Sequence, residues 1–366
     1  LKYFVLAGEA SGDKQAALLC EAIFRHDQHA QMTGWGGEAM TAQGVRVTRH
    51  YRELAYMGFV EVIKHLPAIF RNFKKCKQEI LELAPDALIL VDYPGFNLRM
   101  ARWAHEQKIP VYYYISPQLW AWHTSRVHGI KKAVRKMYVI LPFEKEFYKE
   151  YGMEVMYIGH PLAVEIKRES NFQYLPVKGN IALLPGSRKH EVDRILPEMA
   201  TLAKLMPGYH FTIAAVPHLP TTLYDQWLSG LPNVERVVGD MKKVLSASEA
   251  AIVTSGTATL ETGLLGVPQM VVYKGSPLSY QIARRLIKVK FISLVNLIMG
   301  RLVVPELIQT DCTAAKMADQ LSQILEPSSS LAMRDAYLQL TDLLTSGGGA
   351  EAAGIDIISD LGQRNI

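Results

Sequence analysis

The chain has little of what would set it apart from ordinary α/β proteins. Its 366 residues include three cysteines, Cys20, Cys76 and Cys312, far apart and in no CxxC pair. That argues against a disulfide framework and a thiolate metal site, and favours a reducing compartment. No apolar run approaches the roughly 20 residues of a membrane span, so any membrane contact should be peripheral. A secretory leader is not expected, because KYFVLA already has the pattern of a strand. The GxGxxG fingerprint is missing, which disfavours a nicotinamide oxidoreductase, and so is the GK[ST] of a P-loop. Excess charge is small. Lys and Arg total 40 against 35 Asp and Glu, a net +5 that does not by itself imply nucleic acid. There is no solenoid repeat and no low-complexity segment.

What is present is half apolar (49%) and one fifth charged (20%), a soluble composition with enough length for two domains. Short apolar runs recur: YFVL (3–6), ALILV (87–91), VYYYI (111–115), MYVIL (137–141), VMYI (155–158), NIALL (180–184), HFTIAA (210–215), AAIVT (250–254) and QMVVY (269–273). Such unbroken runs predict strands buried on both faces of a parallel sheet. Helical patterns between them complete repeated βα units. The run breaks at 160–179, a polar stretch with Pro161 and Pro176, after which a strand–turn–helix start begins again. The expected division is 1–165 and 166–342, two doubly wound Rossmann-like domains. A tail, 343–366, contains the glycine-rich SGGGA (346–350) as a hinge and is expected to cross back to the first domain or exchange with a second copy.

In doubly wound sheets, ligands sit where strands end. GEASGD (8–13) follows the first strand. Gly8 and Gly12 let a ligand approach, and Ser11 or Asp13 could cap the next helix. VDYPGFN (91–97) ends another buried strand, and a carboxylate there is costly unless paired or exposed. Asn97 is the expected helix cap, leaving Asp92 free for chemistry. In LPGSRKHE (184–191), Pro185 and Gly186 turn the chain, Ser187 can cap the helix, and free amides with Arg188 suit a phosphate. The competing reading is an Arg188–Glu191 surface pair. TSGTATLE (254–261) offers Ser255, Gly256 and Thr257 at a helix start, with Glu261 a turn further on. Two such turns in one half suggest a nucleoside diphosphate, with Glu261 on ribose hydroxyls or simply a first-turn helix charge.

Two further stretches stay open between function and packing. SPQLWAWHTSR carries Trp120, Trp122 and His123, which would either stack on sugar or fill a core. Residues 55–77 set an apolar face beside Lys64, Arg71, Lys74 and Lys75, the pattern of an interfacial helix or of an ordinary core-facing one. The clusters RNFKKCK, KKAVRK and RRLIKVK would face anionic lipid or phosphate, or only water.

With AGEASGD, MGFVEV, VDYPGFN, SPQLWAW, LPFEKEFY, IGHP, LPGSR with Glu191, SGTATLE and SLVNLIMGR in this order, the chain resembles the lipid-A-disaccharide synthase family from residue 3 to about 345. The resemblance implies a GT-B architecture: two Rossmann-like domains, a cleft between them and a C-terminal helical segment. It implies inverting transfer of 2,3-diacylglucosamine from its UDP derivative to 2,3-diacylglucosamine 1-phosphate (lipid X). The products are a β-1,6 disaccharide 1-phosphate and UDP. It implies no metal and no cofactor, a place at the cytoplasmic face of the inner membrane and contact with its surface lipids. No nucleic-acid partner is expected; a homodimer is.

By matching positions, Asp92 and Arg188 are the expected catalytic pair. Ser11, Gly186, Ser187, Ser255, Gly256, Thr257, Glu261 and Asn296 surround the nucleotide. Val60, Val62, Ile63, Leu66, Ile69 and Phe70 form the acyl-chain or bilayer patch. Some relatives carry a second Asp where this chain has Gly95. On this reading Asp92 takes the proton of the acceptor 6-hydroxyl, or orients another base such as His123. Arg188 steadies the departing diphosphate. Rival readings are a UDP-N-acetylglucosamine 2-epimerase, a soluble-sugar transferase and a non-catalytic lipid-binding protein. The first two do not need the 55–77 apolar face; the last does not need LPGSR and SGTATLE together.

Overall fold

The structure is a computed structural model that describes residues 1–54, 66–121, 124–168, 172–276 and 290–363. The first unit starts β1 (Lys2–Ala7), α1 (Ala10–His26), β2 (Gln31–Gly36), α2 (Glu38–Ala42), β3 (Arg46–His50) and α3 (Leu66–Leu83). It continues β4 (Ala87–Val91), α4 (Pro94–Glu106), β5 (Val111–Tyr114), α5 (Val127–Ala133), β6 (Lys136–Val139), α6 (Glu144–Glu150) and β7 (Met156–Tyr157). After α7 (Pro161–Arg168) come β8 (Val177–Leu184), α8 (Lys189–Leu205), β9 (His210–Ala215), α9 (Thr222–Leu228), β10 (Val234–Val238) and α10 (Met241–Ser246). Then follow β11 (Ser248–Thr254), α11 (Thr257–Leu264), β12 (Gln269–Tyr273), α12 (Leu294–Met299), β13 (Glu306–Ile308), α13 (Ala314–Ile324), α14 (Pro327–Thr345) and α15 (Gly349–Gly362).

Two sheets result, each wholly parallel. One has the order β3-β2-β1-β4-β5-β6-β7 and the other β10-β9-β8-β11-β12-β13. Both are doubly wound, and each reverses its direction of growth once, between β1 and β4 and between β8 and β11. These are the positions at which such sheets hold ligands. Each apolar run noted in the sequence holds a strand, although residues 115, 140, 141, 155 and 158 fall beyond the strand ends. The central strands are dry on both faces, with Leu88, Ile89 and Leu90 of β4 and Ala251, Ile252 and Val253 of β11 fully buried.

The chain divides into two compact units, Leu1–Pro161 with Leu344–Ile366, and Leu162–Leu343. The second unit is therefore an insertion in the first. α15 buries Ala353, Ile357 and Leu361 in the same core as Tyr3, Val5 and Ile89. Its acids complete that contact. Asp356 accepts from Tyr138 Oη (2.9 Å) and Lys136 Nζ (2.8 Å), and Asp360 accepts from Tyr112 Oη and Arg135 Nε (both 2.5 Å). Glycine is required at 347, where an added Cβ would stand 2.1 Å from the Ile158 carbonyl carbon.

Candidate active site

The switch point of the first unit lies at the ends of β1 and β4. Leu90 and Val91 leave the sheet into Asp92 and Tyr93, both left-handed (φ 45° and 48°). Consecutive side-chain-bearing residues there carry strain, which the surroundings must hold. Asp92 N–H donates to Tyr114 O (3.0 Å). Its carbonyl accepts from Tyr113 Oη (2.7 Å) and from Asn97 Nδ2 (2.8 Å). Asn97 also reaches Val91 O (3.1 Å) and is fully buried.

The expectation that Asn97 caps the helix is thus corrected. Tyr93 is the N-cap and Pro94 the first helical residue, and Asn97 clamps the strand end from inside α4. The backbone of Asp92 is engaged while its half-buried carboxylate is not used by these bonds. Burial first, then the charge of Glu9, push the Asp92 carboxyl up to about 6, against the Tyr93 N–H. Gly95 is exposed, with open space where a Cβ would be.

The turn after β1 departs from expectation as well. α1 already starts at Ala10 with Glu9 as its N-cap, so neither Ser11 nor Asp13 caps it. Ser11 is exposed in the first turn. Asp13 is buried and caps α2 instead, accepting from Gly37 N (2.7 Å), Ala39 N (3.0 Å) and Met40 N (3.2 Å).

Beside Asp92, the turn after β5 is held by a buried acid. Glu144 is 1% exposed and accepts from Ser116 Oγ (2.5 Å), Leu141 N (2.9 Å) and Ile140 N (3.1 Å). Burial pushes its carboxyl up to about 7. Trp120 packs edge-on against Phe143, 4.9 Å between centroids. Trp122 and His123 lie outside the described residues.

The second unit's switch point opens into a cavity of about 460 Å³ lined by Leu184, Gly186, Ser187, Arg188, Glu191, residues 214–217, Gly239, Met241 and residues 254–258. It brings together Gly186, Ser187, Arg188, Ser255, Gly256 and Thr257. Gly186 has φ 118°, and an added Cβ would be 2.6 Å from a Glu191 carboxylate oxygen. The N-cap of α8 is Arg188, not Ser187. Glu191 reaches back to accept from Ser187 N (3.0 Å) and Arg188 N (3.2 Å), so these two amides are not free as expected. The Arg188 guanidinium is 3.5 Å from Glu191 and 72% exposed. The surface pair is therefore present, but weak, and a diphosphate would find the cation accessible.

Ser255 Oγ donates to Ile292 O (3.0 Å). Asn296 is fully buried, with its amide donating to Val304 O and Glu306 Oε1 (both 2.8 Å) and accepting from Val303 N (2.7 Å) and Val304 N (3.0 Å). Glu306 in turn accepts from Ile292 N and Ser293 N. Asn296 thus shapes the segment that holds Ser255 rather than lining the cavity. Glu261, a turn along α11, is not among the lining residues. The sequence reading missed Val216, Pro217, Gly239 and Met241, which line it, and His218, whose ring hydrogen-bonds Ser187 O (2.9 Å). Their signal was present: VPHLP and VGD also follow strands.

On α3, which starts at Leu66, Ile69 is half-buried and Phe70 64% exposed, with Arg71, Lys74 and Lys75 exposed nearby. Val60, Val62 and Ile63, like the Leu66 side chain, lie outside what is described. Among the described residues no helix is long and apolar enough to cross a membrane.

Two parallel doubly wound sheets, the second with an open cavity at its switch point, are the architecture of the GT-B class. Solved structures share the fold. The UDP-GlcNAc 2-epimerase from Neisseria meningitidis, bound to UDP-GlcNAc, superposes with TM-score 0.62, covering 99% of this chain and 100% of that one at 13% identity. The glycotransferase of kitacinnamycin gives 0.64 at 13% identity, with 98% of each chain covered. At that identity the likeness concerns fold alone.

Sequence relatives go further. The family described as lipid-A-disaccharide synthetase matches residues 3–346. The lipid-A-disaccharide synthase of Koribacter versatilis is 39% identical over 337 residues, 89% of this chain and 88% of its own length. That of Geobacter sulfurreducens is 36% identical over 377 aligned positions, 99% and 98% of the two chains. The chain belongs to the lipid-A-disaccharide synthetase family, and it is a glycosyltransferase.

Proposed function

We propose that the chain joins UDP-2,3-diacylglucosamine to 2,3-diacylglucosamine 1-phosphate (lipid X), giving the β-1,6-linked disaccharide 1-phosphate and UDP in lipid A biosynthesis. The observation that carries this is that the family match spans both switch-point turns, the Asp92 carboxylate in one unit and the Arg188 cavity in the other.

In the reaction the acceptor 6-hydroxyl gives its proton to Asp92 as its oxygen attacks the anomeric carbon from the face opposite UDP. A carboxyl raised by burial is a stronger base than an exposed one, and it remains ionised at neutral pH. The bond to UDP breaks with its electron pair leaving on the β-phosphate. Arg188, the Ser187 hydroxyl and the helix-start amides at Gly256 and Thr257 face that charge, with Ser255 shaping the turn that presents them. In this reading Glu261 holds ribose, Ser11 lies at the donor's edge, and Asn296 keeps Ser255 in place. Because Arg188 meets the leaving-group charge, neither metal nor cofactor is required. The first unit takes the acceptor and the second the UDP-sugar.

Exposed Phe70 with Arg71, Lys74 and Lys75 supports peripheral attachment of α3 to anionic lipid at the cytoplasmic face of the inner membrane. Val60, Val62, Ile63, Leu66 and Ile69 belong to the same proposed patch. Glycines at 347–349, two of them with positive φ, would let α15 pass to a second copy, and a homodimer is part of the reading. Nucleic acid is not.

The test is incubation of purified protein with both lipid sugars in detergent containing EDTA. Disaccharide 1-phosphate and UDP should appear in equal amounts. No product from folded protein that binds UDP would overturn the reading, and turnover of UDP-GlcNAc alone would point to an epimerase. Flotation with anionic vesicles and sedimentation check the attachment and the dimer.

A further inference from the structure

We propose that Glu9 is the positioning residue of the Asp92 base, a second carboxylate at the first switch point whose charge keeps Asp92 ready for the proton of the acceptor hydroxyl. This rests on Asp92 being the base. β1 and β4 are adjacent parallel strands with Ala7 level with Val91, so Gly8 comes level with Asp92 and Glu9 follows at once. The approach is close: a Cβ on Gly8 would lie 2.3 Å from the Tyr93 ring. Glu9 ends this passage as an extended N-cap (φ −146°, ψ 160°) whose side chain makes no capping hydrogen bond. A Ser, Thr, Asn or Asp would cap there, whereas Glu is a poor choice for that purpose alone. Among the described residues no cation pairs with either carboxylate.

The other groups around the pair do not replace Glu9. Tyr113 Oη bonds the Asp92 carbonyl rather than its carboxylate. Asp13, on the same helix as Glu9, is committed to the α2 amides. Lys14 is exposed on α1, and Arg99 of α4 is exposed over the Phe73 ring. That leaves Glu9 as the neighbour whose charge Asp92 feels, after burial, and the Tyr93 N–H as the opposing group.

A carboxyl group beside a second negative charge gives up its proton less readily. As the acceptor oxygen bonds to the anomeric carbon and the electron pair leaves with UDP, the hydroxyl proton passes to Asp92. Glu9 keeps that carboxylate basic enough to take it.

The experiment measures kcat/KM for the acceptor from pH 4.5 to 8 in the wild type, Glu9→Gln, Glu9→Asp and Asp92→Asn, with UDP affinity and melting as fold controls. The expected result is an acidic limb that moves down by about one pH unit in Glu9→Gln. The limb should move less in Glu9→Asp, which keeps the charge, and UDP affinity should hold. A limb at the wild-type pH in folded Glu9→Gln, with the rate lowered equally at every pH, would mean a structural cap and would overturn the proposal. Should Glu9→Gln not fold, Glu9→Ala, which also removes the charge, is measured in its place, and a limb at the wild-type pH there overturns the proposal equally. Full activity of Asp92→Asn is a different result. It would remove the base assignment itself.

Discussion

After β4 the chain turns on Asp92 and Tyr93, two left-handed residues that keep their side chains; after β8 it turns on Gly186, which has none. The same topological position is built from opposite materials. In the first unit the turn is clamped by Asn97, Tyr113 and Tyr114, and it holds a half-buried carboxyl group that burial pushes up to about 6. In the second unit the turns bring glycine, serine, threonine and one exposed arginine to an open cavity whose other walls include Leu184, Val216, Pro217 and Met241. Strain is accepted where a charge must be aimed, and glycine appears where a ligand's own charge must come close to the backbone.

Each half of that contrast can be broken separately. Asp92→Asn should lower kcat by roughly 10²–10⁴ while leaving UDP affinity intact. It should also raise the melting temperature at pH 7. The folded state binds the Asp92 proton more tightly than the unfolded chain, so ionising this carboxyl costs stability as pH rises from its ordinary value toward about 6. A more stable but inactive variant would mark Asp92 as a functional charge, and a less stable one would not.

Arg188→Ala should cost about 10²–10³ in kcat and weaken UDP in calorimetry, with Lys restoring only part. Unlike Asp92→Asn, it should lose both readouts. Lowering the pH from 7 to 5 should reduce kcat/KM about tenfold as Asp92 becomes protonated, and the profile of Asp92→Glu tests which group sets that limb. Gly186→Ala, forced into φ 118° and against Glu191, should destabilise the protein by roughly 1–3 kcal/mol in denaturant melts and reduce UDP binding. Least costly is Glu191→Ala, which frees the Ser187 and Arg188 amides at about 1 kcal/mol of cap stability.

Most of the architecture was legible because a central parallel strand must be apolar throughout. β2, β3, β10 and β13 were not read. RVTRH of β3 and VERVV of β10 alternate charge with apolar residues, as sheet-edge strands do. QMTGWG of β2 carries two glycines, and ELI of β13 is too short to show a pattern. The turns were legible for the same kind of reason, since glycine, hydroxyl and arginine together suit few tasks.

Which amide each side chain takes was not legible. Glu191 and Asn296 are polar residues whose partners depend on backbone geometry several residues away. Asp13 serves a helix 24 residues further on. Glu9 stood within GEASGD without a distinguishing feature of its own. Its oddness, an acid where a hydroxyl cap is usual, emerges once the start of α1 is fixed at Ala10.

The return of residues 344–366 to the first core has a consequence for how the protein is made. Tyr3 and Val5 leave the ribosome before the inserted unit, yet the helix that shares their core, with Ile357 and Leu361, leaves after it. The inserted unit, Leu162–Leu343, is complete and able to fold well before that moment. The unit begun first is therefore finished second, and its β1–β4 face waits through the synthesis of an entire second sheet. His160 N–H meeting Leu344 O at 2.8 Å closes that interval and joins the two passages of the chain side by side.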